Sequence, residues 1–316
     1  MKQRQALFLV AVSITIVIIA IGAYAMGGVP NSGEGKLKVV ATFYPLAYIT
    51  QEIGGDRVSV RSLIPYNSEV HSWQPSVADM LAIEEADAVV FNGAGLESWL
   101  NNLLGSVNVT GKVLVDTTAG LDLLHIEESE GDDHGHAHEG DLDPHTWVSP
   151  YMAERQAERV YLVLVDLDPT NAAYYRQRWE SLRDRLSSLD NAYQSGLANK
   201  TKPGIIVSHG AFGYLAHRYG FEQYSVIGIS ADRQPSVQDL TSLVSKMIES
   251  NISVLYVDPA YSDAYIVTLR SELERQTGMD VKILKLYLGL GPSDGKDYIG
   301  QLESNLESLK DGLVKG

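Results

Sequence analysis

The chain has 316 residues, 45% of them hydrophobic, which is more than one ordinary domain needs and enough to bury two cores. Its 40 acidic residues against 25 basic ones give a formal net charge of -15, which excludes nucleic acid and anionic lipid as partners, because both require a basic face, and favours a cation as guest. The absence of cysteine excludes disulfides, thiolate metal sites and lipoprotein acylation, so any transition-metal site must be built from imidazole and oxygen.

Lys2 and Arg4 precede an apolar run from Ala6 to Ala25, interrupted only by Ser13, Thr15 and Gly22. At about 20 residues the run suits either a membrane anchor or a long export signal cleaved after Ala23-Tyr24-Ala25. Both readings keep the positive N-terminus inside and place everything after the Gly27 to Gly35 tether outside the cytoplasm, in the periplasm or at the cell surface. Residues 1–36 are therefore read as signal or anchor plus tether, the chain's only membrane contact. Asn-x-Ser/Thr triplets at Asn108, Asn199 and Asn251 would suit an exported chain in a glycosylating organism.

From Leu37 onward short β-branched runs alternate with helical stretches, the pattern of parallel sheets flanked by helices. Strands are predicted at Val39 to Phe43, Val58 to Leu63, Ala88 to Phe91 and Val113 to Asp116, with helices at Pro45 to Ile53, Ser76 to Glu85 and Glu97 to Leu104. A second set follows Pro203, with strands at Ile205 to Val207, Tyr224 to Ile227, Val254 to Val257 and Val281 to Leu284. Its helices are predicted at Phe212 to Tyr219, Ser236 to Glu249, Asp263 to Thr277 and Asp297 to Leu313. Between the sets, Tyr175, Trp179, Leu182, Leu186, Leu189, Tyr193 and Leu197 recur at steps of three and four, one stripe of a long helix. Such a helix would be roughly 40 Å long, a rigid spine rather than a strap. Asp168-Pro169 marks its start, with the acid as cap. The expected fold is α/β, with a lobe over 37–168, a linking helix over 169–200 and a second lobe over 201–316.

Three histidines stand where ligands bind such sheets. His71 follows a strand in a turn-rich stretch before Pro75-Ser76, His145 sits in Asp143-Pro144-His145-Thr146-Trp147 ahead of a helix, and His209 lies just past the carboxyl end of a strand. No local spacing brings them together, and each taken singly reads more readily as a structural histidine bonding a nearby carbonyl than as a ligand.

Several motifs in order carry a resemblance: Val39-Val40-Ala41-Thr42-Phe43-Tyr44-Pro45, the loop with His71, Asn92-Gly93-Ala94-Gly95-Leu96-Glu97, Asp143-Pro144-His145-Thr146-Trp147 and Ser208-His209-Gly210-Ala211-Phe212-Gly213-Tyr214. From Leu37 to the C-terminus the chain resembles the zinc and manganese solute-binding proteins of ABC importers. The resemblance implies two α/β lobes joined by a long helix, a metal in the cleft held by His71, His145 and His209, and a monomer that delivers its ion to a permease with a cytoplasmic ATPase. The family's usual fourth ligand, an aspartate after the last strand, is replaced here by Tyr287, and Val70 rather than a carboxylate precedes His71. Water, Glu69, Asp258 and Asp294 stay open as the fourth ligand.

Three imidazoles favour Zn(II) over Mn(II), which prefers oxygen. Residues 127–141 are rich in acid and hold His134, His136 and His138, a weak auxiliary cation collector that cannot pack a core and that His125 could join. His217 reads as an ordinary helix-surface residue. Three histidines with an open position also describe a zinc hydrolase, but the chain shows no HExxH helix, no Gly-x-Ser-x-Gly elbow and no obvious general base beside the ligands, so no enzyme is expected. A surface adhesin would rest on fold analogy alone.

Overall fold

Runs such as Ala88–Phe91 and Val254–Val257 are buried on both faces, which is what a parallel strand covered by helices on either side demands. The computed structural model describes residues 35–126, 142–229 and 234–315. The anchor or signal expected at 6–25 and the stretch 127–141 lie outside the described residues. No helix among the described residues is long and apolar enough to cross a membrane.

The first lobe runs β1 (Leu37–Ala41), α1 (Tyr44–Gly54), β2 (Val58–Ser62), α2 (Val77–Glu85), β3 (Ala88–Phe91), α3 (Leu100–Leu104) and β4 (Val113–Asp116). Two helices follow, α4 (Pro150–Leu167) and α5 (Ala172–Gly196). The second lobe is β5 (Gly204–His209), α6 (Gly213–Tyr219), β6 (Glu222–Ile227), α7 (Val237–Glu249), β7 (Val254–Val257), α8 (Ala264–Thr277), β8 (Lys282–Lys285) and α9 (Tyr298–Leu313). Both sheets are wholly parallel and share one plan, β2-β1-β3-β4 and β6-β5-β7-β8. Strand order reverses beside β1 and beside β5, and the carboxyl ends at such switch points are where open α/β sheets bind ligands.

Three local outcomes differ from expectation. Helix α3 starts at Leu100 rather than Glu97, because Gly93, Ala94 and Gly95 take positive φ of 86°, 51° and 78° and turn the chain back. Glu97 is then drawn into the turn, where its Oε1 accepts from Asn92 N at 2.8 Å and Thr42 Oγ1 at 2.6 Å while Oε2 accepts from Gly93 N at 3.1 Å. A side chain at Gly93 would collide with Asp116 Oδ1 at 2.3 Å, so the glycine is a close approach as well as a turn. Asp168 does not cap a backbone N–H; its Oδ2 instead accepts from Asn171 Nδ2 at 2.6 Å and Tyr175 Oη at 2.8 Å.

The third difference lies in the core. The stripe from Tyr175 to Leu197 is buried throughout, but the hydrophobic interior is not divided one core per lobe. One cluster runs from Val39 in β1 through Trp147, α4 and α5 to Ile205, Leu288 and Leu313, and thus spans both sheets. A smaller cluster, including Ile206, Val244, Leu255, Ile266 and Leu273, fills only the outer side of the second sheet under α7 and α8. Polar ties cross the same boundary: Trp147 Nε1 donates to Leu288 O at 2.7 Å, Asn67 N to Leu290 O at 2.9 Å and Tyr193 Oη to Leu302 O at 2.6 Å. Separating the lobes would expose shared apolar surface, so a wide hinge opening is disfavoured.

Candidate metal centre

β5 continues past its predicted end at Val207 and delivers the His209 ring at the carboxyl end of the second sheet, 2% exposed. His71 hangs from the loop between β2 and α2, fixed where Glu69 Oε1 accepts its backbone N–H at 2.8 Å. His145 precedes a single 3-10 turn at Thr146–Val148 and is 1% exposed.

The fold brings the three together. His145 Nε2 is 3.1 Å from His71 Nε2 and 3.1 Å from His209 Nε2, and one ring nitrogen from each residue lies within 4.8 Å of the others. A tetrahedral zinc with Zn–N bonds of about 2.0–2.1 Å holds its ligand nitrogens about 3.4 Å apart, so the trio stands close to ligating spacing.

What surrounds His145 is a residue role that the motif alone did not reveal. Asp143 Oδ1 accepts from His145 N at 2.9 Å and lies 2.8 Å from His145 Nδ1. A carboxylate at Nδ1 keeps the proton there and turns the Nε2 lone pair to the centre, the arrangement that orients a metal-binding imidazole. Asp143 is in turn backed by Tyr214, whose hydroxyl donates to Asp143 O at 2.7 Å, and by Gly213, where a Cβ would meet Asp143 Oδ2 at 2.5 Å. Asn92 completes the scaffold: Nδ2 donates to Pro144 O at 2.8 Å, and Oδ1 accepts from Gln156 Nε2 at 2.9 Å. The Asn92 to Glu97 motif is therefore a buried brace for the His145 loop. The only sequence signal for Asp143 was its place two residues before a histidine.

Burial, reinforced by His145 and His71, holds the His209 imidazole well below its ordinary pKa. It stays neutral, as a metal ligand must.

The remaining sequence candidates are distributed unevenly. Asp258 is buried and its oxygens serve backbone N–H groups, Oδ1 that of Ala260 at 2.6 Å and Oδ2 that of Leu288. Burial raises it to about 6. Asp294 lies away on the surface, bound to Lys285 Nζ at 2.6 Å and to the Tyr287 hydroxyl. Glu69 keeps Oε2 buried without a hydrogen-bond partner among the described residues. His125 is exposed and forms an isolated antiparallel bridge with Leu142, and His217 is exposed on α6. His134, His136 and His138 lie outside the described residues.

Two α/β lobes presenting three convergent imidazoles where their strands end define a two-lobed metal-binding protein. The family described as ZnuA, zinc-uptake complex component A, periplasmic, matches residues 39–312, and the chain belongs to it. The high-affinity zinc uptake system protein ZnuA of Bacillus subtilis is 33% identical over 323 residues, covering 99% of this chain and 98% of that protein. The zinc-binding lipoprotein AdcA of Streptococcus pneumoniae is 31% identical over 89% of this chain, which spans only 56% of AdcA. Among solved structures, the Zn(II)-bound ZnuA-like domain of Streptococcus pneumoniae AdcA superposes with a TM-score of 0.72 at 28% identity, covering 88% of this chain and 99% of that one.

Proposed function

We propose that this chain captures Zn(II) outside the cytoplasm and passes it to an ABC permease driven by a cytoplasmic ATPase, acting as a monomeric binding subunit and not as an enzyme. The observation that carries this reading is the meeting of His71, His145 and His209 at their Nε2 atoms, with Asp143 setting the His145 tautomer. Three nitrogen donors favour zinc over manganese. Glu69 is proposed as the fourth ligand, because its buried Oε2 is uncommitted whereas Asp258 and Asp294 are engaged elsewhere. Asp143 is committed to His145, Asp258 to backbone N–H groups and, on this reading, Glu69 to the ion, which leaves none of the three to act as general base on a bound water.

The N-terminal segment is proposed as the export signal or anchor, and 127–141 as an auxiliary zinc collector. The test is competition titration of zinc against a fluorescent chelator. Single alanine substitutions at His71, His145 and His209 are expected to abolish tight binding, and wild-type affinity in all three would refute the assignment.

A further inference from the structure

A second buried polar atom without a partner lies close to the first. Tyr261 sits in the turn after β7, where its backbone N–H donates to Asp258 O at 3.1 Å, and its ring stacks on His209 with centroids 5.4 Å apart and planes at 21°. Its hydroxyl is buried and makes no hydrogen bond of ordinary geometry among the described residues. Glu69 is the charged group that acts most strongly on that phenol and, with burial, pushes its pKa far up. Glu69 comes from the first lobe, two residues before His71, and Tyr261 from the second, stacked on His209, so the two interacting side chains come from opposite lobes beside the histidines.

An unmet buried polar atom is unfavourable, because it gives up water and gains no partner. Two such atoms at one place, one a donor and one an acceptor, mark a link left unmade. We infer that Tyr261 is a positioning residue for zinc capture, its hydroxyl donating to the Glu69 carboxylate so that the carboxylate is held on the ion between the two lobes. The inference rests on Glu69 being the fourth ligand. A carboxylate oxygen has more than one lone pair, so Oε2 accepts from the phenol and still meets the metal. Partners of this kind set the direction of a ligand, and removing one costs about 10- to 100-fold in metal affinity. Because donor and acceptor belong to different lobes, the link also ties the lifetime of bound zinc to the approach of the lobes.

The experiment uses the full chain, with zinc release measured by chelator capture, zinc affinity by competition, and Co(II) absorption as a report on coordination. Tyr261→Phe keeps the stacking on His209 and removes only the hydroxyl. It is expected to shorten zinc residence about tenfold and to weaken the visible Co(II) bands, with metal-free melting unchanged or raised, since the unmet hydroxyl is gone. Glu69→Gln should have the larger effect, and the double variant should match Glu69→Gln alone. If Glu69→Gln weakens binding while Tyr261→Phe does not, or if the two effects add, the inference is overturned and Glu69 stands as ligand. A lowered melting point with unchanged zinc lifetime overturns it too. If Glu69→Gln leaves affinity and the cobalt spectrum unchanged, the ligand assignment falls and the inference with it.

Discussion

Asp143 holds His145 at two points, accepting its backbone N–H at 2.9 Å and reaching its Nδ1 at 2.8 Å, so one carboxylate fixes both the loop and the ring. Asp143→Ala removes both contacts and is expected to weaken zinc binding by about 10- to 100-fold. Asp143→Asn keeps an acceptor oxygen and should lose less. Competition titration of the two variants beside wild type checks the order, and equal affinity in all three proteins would show that the ring needs no orienting partner.

Much of the scaffold was legible because parallel strands buried on both faces leave continuous apolar runs; Ala88–Phe91 and Val254–Val257 fall where such runs predict. The stripe of α5 was legible for the same reason, since burial imposes a period. Convergence of the three histidines was legible only through the family resemblance, because it depends on how two sheets face each other, which no local spacing encodes. Glu69, Asp258 and Asp294 could not be ranked from sequence. What separates them is which oxygens the backbone has already claimed, as Ala260 and Leu288 claim those of Asp258. Tyr261 carries no sequence signal at all, and only its stacking on His209 brings it into view.

Acid should act through His209 in a defined direction. Its folded pKa lies well below the unfolded value of about 6.5, so below that pH the unfolded chain takes up a proton that the folded one refuses. The stability of the metal-free protein is therefore expected to decline as pH falls through about 6.5, measured by urea unfolding between pH 7.5 and 5.5. Since His209 is already neutral, zinc has no proton to displace from it. Calorimetry near pH 5.5, where an ordinary imidazole is about nine-tenths protonated, in buffers of different ionisation enthalpy should find no more than about two protons released per zinc. A value near three would contradict the buried, neutral His209.

Glu97 offers a test of the brace. Its buried carboxylate satisfies Thr42 Oγ1, Asn92 N and Gly93 N, and Glu97→Ala leaves these donors unmet. The loss should be about 3 kcal/mol of unfolding free energy, about 1 kcal/mol for each of the three buried donors left unmet. Denaturant unfolding of the metal-free variant measures it. A change within about 0.5 kcal/mol, typical of surface substitutions, would mean that water replaces the carboxylate at no cost.

Deleting Glu128 to Glu139 separates collector from site. His125 and Leu142 pair at the two ends, so Ile126, Glu127, Gly140 and Asp141 remain to close the connection as a short turn. The proposed ligands all lie elsewhere, so the tight dissociation constant is expected to stay within about twofold of wild type, a change under about 0.5 kcal/mol. Total zinc bound at excess metal should fall, because His134, His136, His138 and the acids around them are gone. Capture at scarce zinc should also slow, since an acidic segment raises the local concentration of cations. Calorimetry across the titration reads both stoichiometry and affinity. Loss of the tight site on deletion would make one of His134, His136 and His138 a primary ligand, and would displace Glu69 from the fourth position.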